Sequence, residues 1–314
     1  MQISDRIGHH LKLHNLHVLM AVVQAGSMNK AAALLSTTQP NVSKSIAELE
    51  RTVGVRLLDR NAGGVEPTPY GRALLNGGIA VFDELRQALK SIEFLADPTA
   101  GEVRIGCNPF LAPSFVSAVV DRLSRRCPRI VFHVVTGRVE HLHHELSERN
   151  VDFLITRRSG LFADERMGFE FLFDEPYVVV AGTQNPWSRR RRIAFAELLS
   201  ESWTLPPPGS VIATVATEAF RASGLDYPRT AVVTDSATTR ISLVATGRFL
   251  TILQASALRF PTRQPEIKVL PVEPRMANTP IGVITLKNRT LSPVATLFIE
   301  HAREVAKPLA MRKP

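Results

Sequence analysis

The sequence predicts an α/β protein in three parts. An all-α winged helix-turn-helix module comes first, a long linker helix follows, and a two-lobed α/β domain fills the rest. Three observations predict it. Short amphipathic helices in residues 13–53 meet at a polar turn and are followed by a small hairpin pattern. A 4-3-4-3 apolar spacing then runs through residues 74–95. From Gly101 onward, strand-like apolar runs alternate with helix-like stretches. The division expected is 1–67, 68–96, a first lobe of 101–173 with 265–314, and a second lobe of 174–264.

Leu16, Leu19, Met20 and Val23 recur at i, i+3, i+4 and i+7, one apolar stripe of a first helix. Gly26 stops it, and Ser27 suits the N-cap of a short second helix, Met28–Leu35. Its Ala31-Ala32-Ala33 run allows close packing. Thr37 or Thr38 caps a third helix, with Pro40 in the first turn, where a missing N–H costs nothing. Val42, Ile46, Leu49 and Val53 form the buried face of that helix, which leaves Gln39, Asn41, Ser43 and Lys44 at its exposed N-terminal end.

That chemistry fits a DNA major groove. Gln and Asn pair with adenine N6 and N7, Ser with several partners, and Lys with guanine or phosphate. Pro40 offers a thymine methyl an apolar contact, and the helix N-terminus favours phosphate. Val55–Arg60 reads as a strand, Asn61–Gly64 as a turn and Val65–Thr68 as its return, a wing carrying Arg56 and Arg60 toward phosphates. The alternative is a small helical bundle with merely solvated polar residues. Caps, turn, wing and polar tip all weigh against it.

Thr68 caps and Pro69 starts a helix that reaches about Leu95, before Asp97-Pro98. Leu74, Gly78, Val81, Leu85, Ala88, Ile92 and Leu95 form an a/d seam suited to pairing with a second copy. A helix lying on its own domain is the alternative. Gly77-Gly78 interrupts the seam at roughly 1 kcal/mol per Gly, for a close approach or a bend.

Strands are expected at Val103–Gly106, Ile130–Val135 and Val151–Thr156, with helices at Ser114–Arg126 and Val139–Glu148 between them, a parallel arrangement. Further strands are expected at Tyr177–Ala181, Arg229–Thr234, Phe249–Leu253, Lys268–Leu270 and Ile281–Leu286, with a last helix over Pro293–Lys307. Going out and coming back in this way makes two lobes with a cleft. Ligands of open parallel sheets sit beyond the carboxyl ends of strands. Those ends supply Asn108, Pro109, Phe110, Thr136, Thr156, Arg157, Pro208, Ser210, Asp235 and Ser236 as candidate ligand residues. Arg157 suits a ligand carboxylate, against a solvated pair with Arg158.

Composition narrows the classes. A net charge of +9 favours a polyanionic partner, yet residues 1–70 hold seven Lys/Arg against five Asp/Glu, so placement matters more than the total. No apolar run approaches a membrane span, and Met1–Lys12 lacks a secretory apolar region, so a cytoplasmic location is expected. Cys107 and Cys127 read as small hydrophobes rather than a redox pair. His9, His10, His14 and His17 fall in an expected disordered tail and helix start, and His141, His143 and His144 have no tightly spaced Cys or Asp/Glu apart from Glu140 and Glu145, so no metal is expected. No cofactor is expected either. The Arg189–Arg192 run reads as a solvated loop, with contact to DNA or an acidic partner as the alternative.

The pattern Gly26-Ser27, Ala31-Ala32, Leu35, Gln39-Pro40-x-Val42-Ser43, Leu49-Glu50, Gly54-Val55-x-Leu57-Leu58-x-Arg60 and Thr68-x-x-Gly71 resembles the LysR-type transcriptional regulators. The likeness is dense over 13–72 and looser beyond. Tracts 65–72 and 96–102 are also similar to the subgroup around galactose-binding-protein regulators. The resemblance implies effector lobes of periplasmic-binding-protein type, with DNA contacts at Ser27, Thr37, Thr38, Gln39, Pro40, Ser43, Lys44, Arg56 and Arg60. Thr38 stands where members usually carry Ser, and Asn41, often a small apolar residue in the family, adds a base contact of this chain's own. Implied partners are promoter double-stranded DNA, an anionic or sugar-derived small-molecule effector, a second or fourth copy of the chain, and RNA polymerase. An architectural DNA-binding protein is the competing class, as is a two-lobed solute-binding protein or enzyme. The last is weakened by the lack of an export signal and of any nucleophile-elbow, phosphate-loop, dinucleotide or zinc-protease motif.

Overall fold

A computed structural model of the chain describes residues 11–61, 64–160, 165–258, 266–273, 276 and 278–310. His9, His10, the turn residues Ala62-Gly63 and the expected lobe boundary at 264–265 lie outside the described residues. The chain falls into two compact units, Met1–Leu89 and Lys90–Pro314.

In the first unit, α1 (Leu13–Ala25), α2 (Met28–Leu34) and α3 (Gln39–Val53) close around Leu16, Leu19, Val22, Ala31, Val42, Ile46 and Leu49. β1 (Leu58–Asn61) pairs antiparallel with β2 (Gly64–Pro67). The strand begins at Leu58 rather than Val55 because the Glu50 carboxylate accepts the N–H groups of Leu57 and Leu58 at 2.8 and 3.3 Å. Those amides serve α3 instead of a ladder. Val65 N–H donates to the Gly26 carbonyl at 3.0 Å, and a Cβ on Gly64 would come within 2.6 Å of that oxygen. Glycine at 64 therefore lets the wing sit directly on the end of α1.

α4 (Pro69–Ala96) is capped by the Thr68 hydroxyl, which accepts from Gly71 N–H at 3.0 Å and donates to the Arg56 carbonyl at 2.8 Å. Its seam divides. Leu74 packs against the first unit's core beside the non-seam residues Leu75 and Phe82, whereas Val81, Leu85, Ile92 and Leu95 stay 43%, 44%, 63% and 81% exposed. Gly78 faces inward as well. A Cβ there would lie 3.0 Å from the Leu16 side chain, while one on Gly77 would meet nothing within 4 Å. Close approach to α1 thus explains Gly78, and nothing in the structure explains Gly77. Gly77→Ala is expected to raise unfolding stability by about 0.5–1 kcal/mol. Gly78→Ala should forfeit that gain because Leu16 must shift. Urea unfolding of the two variants checks the difference.

The second unit opens with β3 (Ala100–Cys107), a wide turn over Ala112–Val116 leading into α5 (Ser117–Ser124), β4 (Arg129–Thr136), α6 (Val139–Ser147), β5 (Phe153–Arg157) and β6 (Met167–Glu175). It continues through β7 (Tyr177–Gly182), β8 (Ile193–Ala194), β9 (Trp203–Leu205), α7 (Val211–Ala222), β10 (Thr230–Val233), α8 (Ala237–Ala245) and β11 (Leu250–Gln254). The remaining elements are β12 (Ile267–Val269), β13 (Val272–Glu273), β14 (Thr279–Leu286) and α9 (Pro293–Ala310). Two five-stranded sheets result, ordered β4-β3-β5-β14-β6 and β10-β9-β11-β7-β12.

The parallel expectation holds for β4-β3-β5 and β10-β9-β11, but β14, β6, β7 and β12 run antiparallel to their neighbours. β6, whose half-exposed apolar and charged residues give no clean alternation, has no counterpart in the sequence reading. The strand at Ile267–Val269, expected in the returning segment of the first lobe, pairs with β7 in the second sheet. Phe115, Phe153, Phe173 and Phe298 fill one face of the first sheet, and Trp203, Phe195 and Phe220 one face of the second. A buried ion pair locks the first lobe. Arg289 lies 3.3 Å from Asp152, both nearly inaccessible, and the second Asp152 oxygen accepts from Arg104 N–H at 2.8 Å. Arg289 also donates to the Val151 carbonyl.

Candidate nucleic-acid interface and ligand crevice

Thr38 takes extended geometry at the N-cap of α3 but makes no side-chain cap bond, so the helix end is left open. Thr38, Gln39, Pro40, Asn41 and Lys44 are exposed there, and Thr37 and Ser43 are half-buried beside them. Asn41 donates to the Thr37 hydroxyl at 3.3 Å, which ties two of these side chains together. Ser27 begins α2, half-buried and likewise without a cap bond. On the wing side, Arg56 and Arg60 are exposed. This surface combines hydrogen-bonding side chains, a helix N-terminus and flanking cations, the equipment for bases and phosphates.

The strand-end residues sort differently. Asn108 accepts the N–H groups of Phe110 and Leu111 at 2.8 and 3.2 Å. Ser210 caps α7 through Ala213 N–H, and Ser236 caps α8 through Thr239 N–H, both at 3.2 Å. All three serve as turn or helix caps, a role that uses the same side-chain oxygens a ligand would. Pro109, Thr136 and Asp235 are exposed, and Thr156 is fully buried. Arg157 is half-buried close to Tyr177, whose phenol is pushed up by burial while the nearby arginine acts in the opposite sense. Pro208 lines a surface groove of about 450 Å³ with Thr214, Glu218, Arg221 and Tyr227.

Sequence reasoning missed Arg240. It is fully buried in α8, donates to the Ile252 carbonyl at 3.0 Å, and lies 5.3 Å from the centre of the Phe110 ring. Its signal was its place four residues before buried Val244, on the inward stripe of that helix. The Arg189–Arg192 run is partly structural, since Arg190 stacks over Trp187 and Arg192 pairs with Glu273 at 2.8 Å. Burial pushes the Cys107 thiol up to about 12, which removes thiolate chemistry at ordinary pH. Among the described residues, no group of three His, Cys, Asp or Glu is placed to hold a metal, and no helix is long and apolar enough to cross a membrane.

An open helix end beside a wing, followed by two sheet lobes, defines a DNA-binding regulator with a ligand-binding domain. Comparison with known proteins makes the family definite. Residues 13–72 match the bacterial regulatory helix-turn-helix protein, lysR family, and residues 96–307 match the LysR substrate binding domain. The chain belongs to the LysR-type transcriptional regulators, which are not enzymes. It is 27% identical over 304 residues to the HTH-type transcriptional regulator GbpR of Azospirillum brasilense, covering 96% of this chain and 89% of that protein. In fold it resembles a full-length OxyR variant from Pseudomonas aeruginosa, with a TM-score of 0.68, 21% identity, and coverage of 98% and 100%. It also resembles full-length CbnR in complex with its target DNA, with a TM-score of 0.53, 22% identity, and coverage of 94% and 100%. Regulators of this type bind promoter DNA and small-molecule effectors and form oligomers.

Proposed function

We propose that α3 reads base edges in the major groove while the wing holds phosphates, and that a small molecule in the second unit modulates binding at the promoter. The exposed cluster Thr38, Gln39, Pro40, Asn41 and Lys44 on an uncapped helix end carries this reading. Ser27, Thr37 and Ser43 complete the base-facing set, with Arg56 and Arg60 on the backbone. The exposed apolar side chains of α4, Val81, Leu85, Ile92 and Leu95, support pairing of two copies, which would present two recognition helices to a dyad-symmetric site. In domain terms, 1–67 binds DNA, 68–96 links and pairs, and the two lobes beyond take an anionic or sugar-derived effector. The protein acts in the cytoplasm, where contact with RNA polymerase completes its role.

Salt dependence tests the wing. Arg56→Ala should weaken binding to every duplex alike and reduce the slope of log affinity against log salt by roughly 1. Fluorescence anisotropy on labelled duplexes across a salt series measures it. A slope equal to that of the wild type removes Arg56 from the phosphate contacts.

A further inference from the structure

We propose that Arg240 anchors a carboxylate of the effector in the crevice between the carboxyl ends of β9 and β11; this rests on the reading of the second unit as an effector-binding domain. Strand order locates the crevice. From β9 the chain passes through α7 to β10 on one side, then returns through α8 to β11 on the other side of β9. The order of parallel strands reverses between β9 and β11, the place where open α/β sheets take ligands.

The two strands stay together only briefly. Leu250 pairs with Trp203 and its N–H donates to the Ser202 carbonyl at 2.9 Å. In a continued parallel ladder the Ile252 carbonyl would accept from the amide of residue 206, which is proline and has no N–H. Arg240 takes that carbonyl instead, with Nη1 at 3.0 Å. The Thr251 hydroxyl bridges to the Thr204 carbonyl at 2.6 Å. A missing ladder donor therefore brings a guanidinium into the opening of the sheet.

Its remaining edge is the informative part. Among the described residues, Nε and Nη2 of fully buried Arg240 make no hydrogen bond, and neither does the buried Thr204 hydroxyl. A buried cation with two unmatched donors is costly in an isolated domain. Nε and Nη2 are the edge that grips a carboxylate with two parallel bonds, as Arg303 grips Glu170 here at 2.6 and 3.0 Å. The guanidinium stacks against Phe110, which belongs to the loop after β3 in the other lobe. A carboxylate bound at Arg240 would thus sit where the two lobes meet. Burial also draws the Arg240 pKa down to about 10, with Asp235 opposing, a sign of how little counter-charge surrounds it.

The test follows the Nε–Hε nuclear magnetic resonance signal of Arg240 in the full chain labelled with nitrogen-15 arginine, assigned by its loss in Arg240→Lys. The probe is sodium acetate, with sodium chloride at equal ionic strength, acetamide and inorganic phosphate alongside. A saturable shift with acetate, absent with chloride and acetamide, is the expected result. Acetate should also protect the wild type against thermal unfolding, with an apparent affinity at least about tenfold weaker in Arg240→Met, the loss of roughly one charge-assisted bond. A signal indifferent to acetate overturns the proposal, and one that answers phosphate more tightly than acetate overturns its ligand class. Promoter binding by the wild type without acetate is scored separately. Its failure sinks the regulator reading, whereas a silent Arg240 on a DNA-binding chain sinks only this one.

Discussion

Gln39→Ala is expected to lower affinity for the cognate site by roughly 5- to 150-fold, the 1–3 kcal/mol carried by a bidentate base contact. Binding to scrambled duplex should barely change, because non-specific affinity comes from phosphate charge. The side chain is exposed in the first turn of α3 and supports no core residue, so the fold should tolerate its loss within about 0.5 kcal/mol. Equilibrium titrations of both duplexes at one salt concentration read the two affinities. An equal loss on both would mean that Gln39 touches backbone rather than bases.

A second large effect belongs to the first sheet of the second unit. Asp152→Ala should cost about 3–5 kcal/mol, since it takes the Asp152 carboxylate away from the buried Arg289 guanidinium. It also removes the acceptor of the Arg104 amide, one of the bonds between β3 and the start of β5, where the Asp152 N–H donates to the Arg104 carbonyl as well. Denaturant unfolding of the full chain, followed by far-ultraviolet circular dichroism, should show an early transition. An unshifted transition would mean that water replaces the carboxylate and that the pair does not hold the lobe together.

The helices of the first unit were legible because each local signal agreed with the next. Apolar spacing placed α1 and α3, Gly26 ended the first, and Pro40 marked the first turn of α3. The start of β1 was not legible, because a distant carboxylate, Glu50, decides where the amides of Leu57 and Leu58 go. Gly78 could not be understood without Leu16, a contact between residues 62 positions apart in sequence. The strand-end oxygens of Asn108, Ser210 and Ser236 were ambiguous for a chemical reason: one oxygen type serves caps and ligands alike. Arg240 stayed hidden because an arginine in a helix is ordinarily read as solvent-facing. Only the missing N–H of Pro206 and the inward position beside Val244 hinted otherwise.

The central claim is sequence-specific reading of DNA by the exposed end of α3, and selection from fragmented DNA of the source genome by the purified full-length chain tests it most directly. Sequencing of the recovered fragments should show enrichment of one dyad-symmetric motif, as a paired regulator requires. Repeating the selection with Gln39→Ala should blur that motif without abolishing recovery. Recovery indifferent to sequence in the wild type would contradict the account and leave a protein that coats DNA by charge alone.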